Sequence, residues 1–181
     1  MSLALAHDWF PRPLPDNVVL GEGSWLYSSF AFLHCRSRRP CAVRIGPDSG
    51  VYHGTFFELG PEGEVEIGRY CSIVGAIIQT NGRIAIGDYA FLAHEVVLAD
   101  SAVAWPPSTA DGREGIGAPR PGIEIGENAW IGAQALLLAG ARIGAHAIVG
   151  AAAVVNGDVP PCAVVAGNPA RIVGWARSDA A

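Results

Sequence analysis

The amino-acid sequence predicts an all-β protein in which about six triangular coils stack into a parallel β-helix. Three observations predict this fold. An aliphatic residue recurs at every sixth position, a small residue recurs four positions after it, and glycine often follows it directly. Neither the period of an α-helix nor the alternation of a flat strand produces that spacing. Such a period is typical of solenoids, in which a coil buries its apolar face only by stacking on its neighbours.

The recurring residues form six triplets, one for each predicted coil, and each member marks one side of the triangle. The triplets are Leu20, Leu26 and Phe32; Ile45, Val51 and Phe57; Ile67, Ile73 and Gln79; Ile86, Leu92 and Leu98; Ile125, Ile131 and Leu137; and Ile143, Val149 and Val155. Gln79 is the single polar member of this set. We expect each inward side chain to stack on its equivalent in the next coil, roughly 4.8 Å away.

The period divides the chain into three regions: an N-terminal arm (1–17), the β-helix (18–159) and a C-terminal strand and tail (160–181). One long stretch inside the β-helix, residues 99–122, interrupts the period. Its high content of Pro, Gly and Ser predicts a loop. Because long loops on a regular scaffold usually bind ligands, we expect this loop to have a function.

Composition and charge narrow the range of partners. The net charge of −5 argues against a nucleic-acid surface, and all 12 basic residues are Arg. No apolar stretch is long enough to span a membrane, and the N-terminus lacks the basic segment of a signal peptide. The four cysteines show no metal-ligand spacing, and Cys71 falls at a small, inward position, which predicts a buried free thiol. We therefore expect a cytoplasmic protein with no metal, nucleic-acid or membrane partner.

Two segments carry a family resemblance: "IGENAWIG" (125–132), which is followed by regular six-residue repeats, and "VVNGDVPPCAVVAGNPARIV" (154–173). From about Val65 to Val173 the chain resembles the hexapeptide-repeat acyltransferases, in particular the maltose, galactoside and capsule-type O-acetyltransferases. The resemblance implies a left-handed β-helix, a homotrimer, and acetyl-CoA as co-substrate in a groove between subunits. It also implies acyl transfer to the hydroxyl or amine of a sugar or other small molecule.

The same resemblance assigns residues to the acetyl-CoA groove. Trp130 would wall the pocket beside the thioester, although an ordinary interface aromatic is the alternative. Ala133 and Ala151 would offer backbone groups to the pantetheine arm, and Asn156 and Arg171 would lie near the adenosine phosphates. Many relatives have Thr-Lys where this chain has Asn-Gly at 156–157. Without that Lys, phosphate binding would depend on Arg171, with Arg142 or Arg177 as further candidates.

A general base is needed to take the proton of the attacking hydroxyl or amine. Relatives supply a His from the long loop, but residues 99–122 contain none. His94 lies on the coil that leads into the loop and is followed by Glu95. This pair resembles the His and acid of the bacillosamine-type N-acetyltransferases, so we predict His94 as the base and Glu95 as the group that polarises it. The alternative is a corner His without a chemical role.

Two loop residues, Asp100 and Trp105, are predicted to contact the acceptor; alternatively, Trp105 is an apolar plug that fixes the loop. The missing loop His favours a rival function, a non-catalytic trimeric scaffold or ligand-binding protein. A second rival rests on "LAH" (92–94), which resembles the zinc-binding stretch of γ-carbonic anhydrases. That site needs three His ligands. The second would fall at Ala99 and the third near Thr80, so this interpretation is weaker.

Overall fold

The structure is a computed structural model that describes residues 5–100 and 122–176. In this part of the chain, three sheets form the walls of a triangular solenoid, and successive coils pair in parallel. Sheet A contains β1 (Val18–Leu20), β3 (Val43–Ile45), β6 (Glu64–Ile67), β9 (Arg83–Ile86), β12 (Ile123–Ile125), β15 (Arg142–Ile143) and β18 (Asp158–Val159).

The other two walls have the same construction. Sheet B contains β2 (Trp25–Leu26), β4 (Gly50–Val51), β7 (Ser72–Ile73), β10 (Phe91–Leu92), β13 (Trp130–Ile131), β16 (Ile148–Val149), β19 (Ala163–Ala166) and β20 (Arg171–Trp175). Sheet C contains β5 (Phe56–Leu59), β8 (Ile77–Thr80), β11 (Val97–Ala99), β14 (Leu136–Leu138) and β17 (Val154–Val155). The predicted solenoid of about six coils is thereby confirmed.

The core consists of the inward side chains, which stack from coil to coil in the parallel registers. All the predicted aliphatic and aromatic triplet members except Leu20 are buried. The assignment of Gln79 was wrong, because Ile78 is the buried residue that pairs with Phe57 and Leu98. The corner before β8 is one residue shorter than its equivalents, so the inward position arrives one residue early. Gly75, with φ of 63°, makes this tighter turn.

The first and last coils depart from the regular pattern. In the first coil a 3₁₀ helix, Ser29–Phe32, replaces the strand of sheet C, and the Phe32 ring stacks on the Phe57 ring with 4.8 Å between centroids. At the other end, β18 and β19 begin a seventh coil, whose inward residues Val159 and Val165 continue the core. Strand β20 then reverses direction and pairs antiparallel with β19.

Glycine at the position after an inward residue allows successive coils to approach closely. At Gly126, an added Cβ would lie 2.6 Å from the backbone nitrogen of Ala145 in the next coil. Gly157, in contrast, has no atom within 4 Å of where its Cβ would be. The first glycine is required by coil stacking, whereas the second is not.

The N-terminal arm is held on the first coil by Asp8. Its Oδ1 atom accepts hydrogen bonds from Ser28 Oγ (2.7 Å) and the Phe10 amide (3.0 Å), and its Oδ2 atom accepts one from the Ser29 amide (2.7 Å). Burial alone would raise the pKa of this carboxyl group. Hydrogen bonds from Ser29, Phe10 and Ser28 outweigh burial and lower the pKa to about 2.

Replacement of Asp8 is expected to destabilise the protein by about 1–2 kcal/mol at pH 7, because Asp8→Ala leaves these donors without their acceptor. The folded-state pKa lies below the value of about 3.9 for an unfolded chain. The contribution is therefore complete above about pH 4 and disappears as the pH falls towards 2. Urea unfolding at several pH values measures it, with the exposed Glu22→Ala as control. Equal stability of Asp8→Ala and the parent protein at pH 7 would refute this role.

The predicted buried thiol is confirmed at Cys71. The residue is buried, its Sγ donates to the Gly87 carbonyl (3.1 Å), and burial raises the pKa of its thiol. Among the described residues, no helix has the length and apolar character needed to cross a membrane.

Candidate functional site

The corner between sheets B and C brings together most of the predicted site residues. The chain passes it at residues 52–55, 74–76, 93–96, 132–135 and 150–153, and we call this column of turns the B–C corner. Neighbouring turns are joined by backbone hydrogen bonds. The Gln134 amide donates to the His94 carbonyl, and the Ala152 amide donates to the Ala133 carbonyl, each at 2.9 Å. His94, Ala133 and Ala151 thus occupy three successive coils of one column.

His94 is exposed at this corner. Within the described part of the chain its imidazole makes no hydrogen bond or ion pair, so both ring nitrogens face solvent or a ligand. Glu95 follows with φ of 59° and donates its amide to the Gly75 carbonyl (3.0 Å). The Glu95 carboxylate accepts a hydrogen bond from Gln134 Nε2 (2.8 Å). The structure shows no hydrogen bond between Glu95 and His94 within the described residues.

Ala133 and Ala151 present backbone donors on the same column. Their N–H groups make no hydrogen bond within residues 5–100 and 122–176, whereas the amides of the residues that follow them bond to the coil before. Unused N–H groups in neighbouring coils are suited to bind carbonyl oxygens or an oxyanion. This geometry agrees with the use of backbone groups at these two positions.

Trp130 projects from the outer face of sheet B, next to the corner. Its side chain is 54% exposed, and the edge of its ring contacts Phe91, with 6.0 Å between centroids and 78° between ring planes. Phe91 pairs with Trp130 in the sheet and lies three residues before His94. The two rings form an apolar ledge beside the column that carries His94.

Arg171 lies at the C-terminal end of this column. It begins β20 and pairs with Ala166, the last residue of β19, where sheet B reaches the B–C corner. Its guanidinium is exposed and donates from Nη1 to the Ala170 carbonyl (2.8 Å). Three coil spacings, roughly 14 Å, separate this end of the column from His94.

The remaining predicted residues lie elsewhere. Asn156 is exposed on the corner between sheets C and A, at the far end of β17. Asp100 lies on that corner too, directly after Ala99, which was predicted to begin the loop but pairs in β11 with Gln79 and Leu138. The Thr80 hydroxyl donates to Asp100 Oδ2 (2.6 Å) and anchors the start of the loop. Trp105 falls outside the described residues.

Metal-ligand chemistry gains no support from this site. Among residues 5–100 and 122–176, no group of three or more His, Cys, Asp or Glu side chains could hold a metal ion. The two positions where further zinc ligands would fall are occupied by Ala99 and Thr80, both buried. His94 therefore has no partner imidazole at either place.

Phe91 and Gln134 belong to the site but were not predicted, although the repeat contained the signal for both. Phe91 directly precedes an inward residue, as Trp130 does, and Gln134 follows an inward residue by three positions, as Glu95 does. Residues with the same offset in neighbouring coils lie side by side, so both contacts follow from the register. The N-terminal arm has no period and gave no comparable signal.

Comparison with known proteins places the repeat in a described family. The family "Bacterial transferase hexapeptide (six repeats)" matches residues 122–157. The chain is 30% identical to the galactoside O-acetyltransferase of Escherichia coli over 71% of this chain and 62% of that protein. It is 30% identical to a chloramphenicol acetyltransferase of Agrobacterium fabrum over 87% of this chain and 66% of that protein. The chain thus spans slightly less than two thirds of each curated relative.

A solved structure shares the fold at low sequence identity. AntD, an N-acyltransferase from Bacillus cereus crystallised as a mutant with dTDP and coenzyme A, aligns with a TM-score of 0.65. The alignment covers 88% of this chain and 84% of AntD at 17% identity.

Proposed function

Because the chain carries the hexapeptide repeat and is 30% identical to two acetyltransferases, we propose that it is a hexapeptide-repeat acyltransferase and transfers an acetyl group from acetyl-CoA to the hydroxyl or amine of a sugar or another small molecule. The observation that carries this proposal is the B–C corner. It aligns an unpartnered imidazole at His94 with unused backbone donors at Ala133 and Ala151 in successive coils. The two curated relatives are named as acetyltransferases, and AntD was crystallised with coenzyme A.

In the proposed reaction, His94 accepts the proton of the acceptor while its oxygen or nitrogen attacks the thioester carbonyl carbon. The N–H groups of Ala133 and Ala151 are the donors available to the pantetheine carbonyls and to the developing oxyanion. When the carbon–sulfur bond breaks, the His94 imidazolium returns its proton to the leaving thiolate. The products are an ester or amide and free coenzyme A. Arg171, at the end of the column, would pair with the phosphates of the nucleotide.

The proposal includes self-association as a homotrimer, with the groove completed by a neighbouring subunit. Its support is the number of large apolar side chains exposed on sheet B. Phe91, Trp130, Ile172, Val173 and Trp175 are all exposed there. Such a surface is more typical of a subunit contact than of an isolated chain. Sedimentation equilibrium measures the mass directly, and a monomer at micromolar concentration would contradict this part of the proposal.

Acetyl-CoA binding is the first test of the function. Calorimetric titration of the purified protein is expected to show binding, and Trp130→Ala to weaken it by about tenfold, or about 1.4 kcal/mol, through loss of the apolar ledge. Trp25→Ala is the matched control, because Trp25 is also exposed on sheet B but lies in its first strand, four coils away from Trp130. Equal weakening by both variants would remove Trp130 from the site.

The rival function is a non-catalytic scaffold, which would have the β-helix fold but no acyltransferase activity. The specific observation in its favour is that residues 99–122 contain no His, where relatives place their base. A protein that binds no acetyl-CoA in the titration would favour the scaffold. A protein that binds acetyl-CoA but acetylates nothing, whether or not His94 is present, would favour a ligand-binding role.

A further inference from the structure

A cavity lies on the B–C corner, two coils before His94. The N-terminal arm folds back over the first two coils there and encloses about 180 Å³. Five aromatic rings line it: Trp9, Tyr27, Phe30, Tyr52 and Phe56. We call this cavity the aromatic cup.

The rings of the cup support one another. The Trp9 ring lies 5.4 Å from the Phe30 ring, and the Phe30 ring meets the Phe56 ring at 5.6 Å and 72°, an edge-to-face contact. Asp8, the residue before Trp9, fixes the arm through its hydrogen bonds to the first coil. The cup is therefore built by both the arm and the solenoid, and Trp9, 63% exposed, forms its outer wall.

The floor of the cup is apolar, and its polar atoms are already used. Leu26 and Ala31 are buried beneath the rings. The Ser28 hydroxyl donates to Asp8 (2.7 Å), and Thr55 Oγ1 accepts from the Gly75 amide (3.1 Å). A ligand in the cup therefore finds ring faces and few hydrogen-bonding partners at the floor.

The rim, in contrast, has polar groups to offer. The His53 ring contacts Tyr27 edge-on, with 5.0 Å between centroids, and makes no hydrogen bond within the described residues. The Tyr27 and Tyr52 side chains are exposed beside it. A ligand with an apolar ring at one end and polar groups at the other fits this arrangement.

The size of the cavity narrows the ligand further. An apolar cavity of about 150 Å³ is enough to hold benzene. At about 180 Å³, the cup has room for one aromatic ring with a small substituent.

The aromatic cup and His94 lie on the same B–C corner. Gly75 occupies the coil between them, where the turn is one residue short and has no side chain at its apex. Its amide donates to Thr55 at the cup, and its carbonyl accepts from the Glu95 amide beside His94 (3.0 Å). Two coil spacings, roughly 10 Å, separate the cup from His94. The backbone of Gly75 therefore links the turn at the cup to the turn that carries His94.

We propose that the aromatic cup binds an aromatic ring carried by the acceptor and thereby places the acceptor's hydroxyl or amine next to His94, two coils further along the same corner. This inference rests on the proposed acetyl transfer and adds to it a class of acceptor, an alcohol or amine that carries an aromatic group roughly 10 Å from the reacting oxygen or nitrogen. The two curated relatives differ in the acceptors that their names state, which agrees with an acceptor site built outside the common repeat.

A matched pair of probes tests the proposal. Phenyl β-D-glucoside and methyl β-D-glucoside offer the same hydroxyls with and without an aromatic ring. Saturation-transfer NMR on the full chain is expected to show at least about tenfold tighter binding of the phenyl compound, with the phenyl protons receiving the largest transfer. Trp9→Ala is expected to reduce this preference to within about twofold, since it removes the outer wall of the cup.

A control variant and a separate measurement of acetyl-CoA affinity distinguish ring binding in the cup from a general effect of the substitution. Tyr89→Ala removes an exposed aromatic ring that stacks on Tyr70 at the corner between sheets A and B, and is expected to leave the preference intact. Equal binding of both glucosides by the parent protein, or a preference that survives Trp9→Ala, would overturn the proposal. Acetyl-CoA affinity, measured separately, is expected to be unchanged by Trp9→Ala. If the parent protein binds phenyl glucoside through the cup but does not bind acetyl-CoA, the proposed acetyl transfer is contradicted, whereas binding of an aromatic ring in the cup is supported.

Discussion

Replacement of His94 by alanine is expected to lower kcat by about 10²-fold or more while the affinity for acetyl-CoA is unchanged. The imidazole is exposed, unpartnered within the described residues and aligned with the backbone donors of the next two coils. Its removal therefore takes away the proposed proton acceptor without disturbing the coil, because the hydrogen bond that joins residue 94 to the next coil uses its backbone carbonyl. Steady-state kinetics at saturating acetyl-CoA, together with calorimetry, separates the loss of chemistry from a loss of binding.

Two companion variants sharpen this test. His34→Ala removes another exposed His, which lies 3.5 Å from Glu58 on a different part of the surface, and is expected to have no effect on kcat. Glu95→Gln is expected to have a smaller effect than His94→Ala, because the Glu95 carboxylate contacts Gln134 in this structure. A loss below about tenfold in His94→Ala would mean that another group is the base.

Replacement of Gly126 by alanine is expected to destabilise the protein by about 1–3 kcal/mol. The new methyl carbon would lie 2.6 Å from the Ala145 nitrogen and 2.8 Å from the Gly144 carbonyl carbon, both backbone atoms of the next coil. A side chain could rotate away from such a contact, but a backbone that also hydrogen-bonds to the coil beyond cannot move alone. The free energy of unfolding in urea measures the effect.

The matched control is Gly157→Ala, which meets no atom within 4 Å. We expect a change of less than about 0.5 kcal/mol, because this position lies outside the stacked glycines. If both variants lose the same stability, the cost belongs to glycine replacement in general and not to coil stacking. If neither loses stability, the coils have more freedom to separate than their hydrogen bonds indicate.

The sequence predicted those parts of the fold that repeat. An inward residue such as Leu98 or Ile131 is recognisable because each coil buries its apolar face in the same way. The six-residue spacing therefore identifies the buried positions. The error at Gln79 arose where the spacing changes. A shortened corner shifts the inward position to Ile78 without changing the composition of the strand, and only the pairing reveals the new register.

The candidate site was predictable to the extent that it lies on repeating positions. His94 and Ala133 share one column because they have related offsets, and the contact between Glu95 and Gln134 follows from the same rule. The aromatic cup was not predictable, since it depends on where the non-periodic arm returns. Trp9 is far from Phe56 in the sequence, and no spacing joins them; the arm is positioned by the carboxylate of Asp8.

The reversed strand β20 makes the solenoid a stack of fixed length. Parallel coils expose an edge that any further parallel strand could extend, including one from another copy of the chain. Because β20 covers β19 in the antiparallel sense, the outermost strand of sheet B no longer has the polarity that a new coil would need. In an end-to-end fibre, sheets A and C could continue with parallel strands, whereas sheet B could not. The last strand therefore opposes the addition of a further parallel coil at this edge of sheet B.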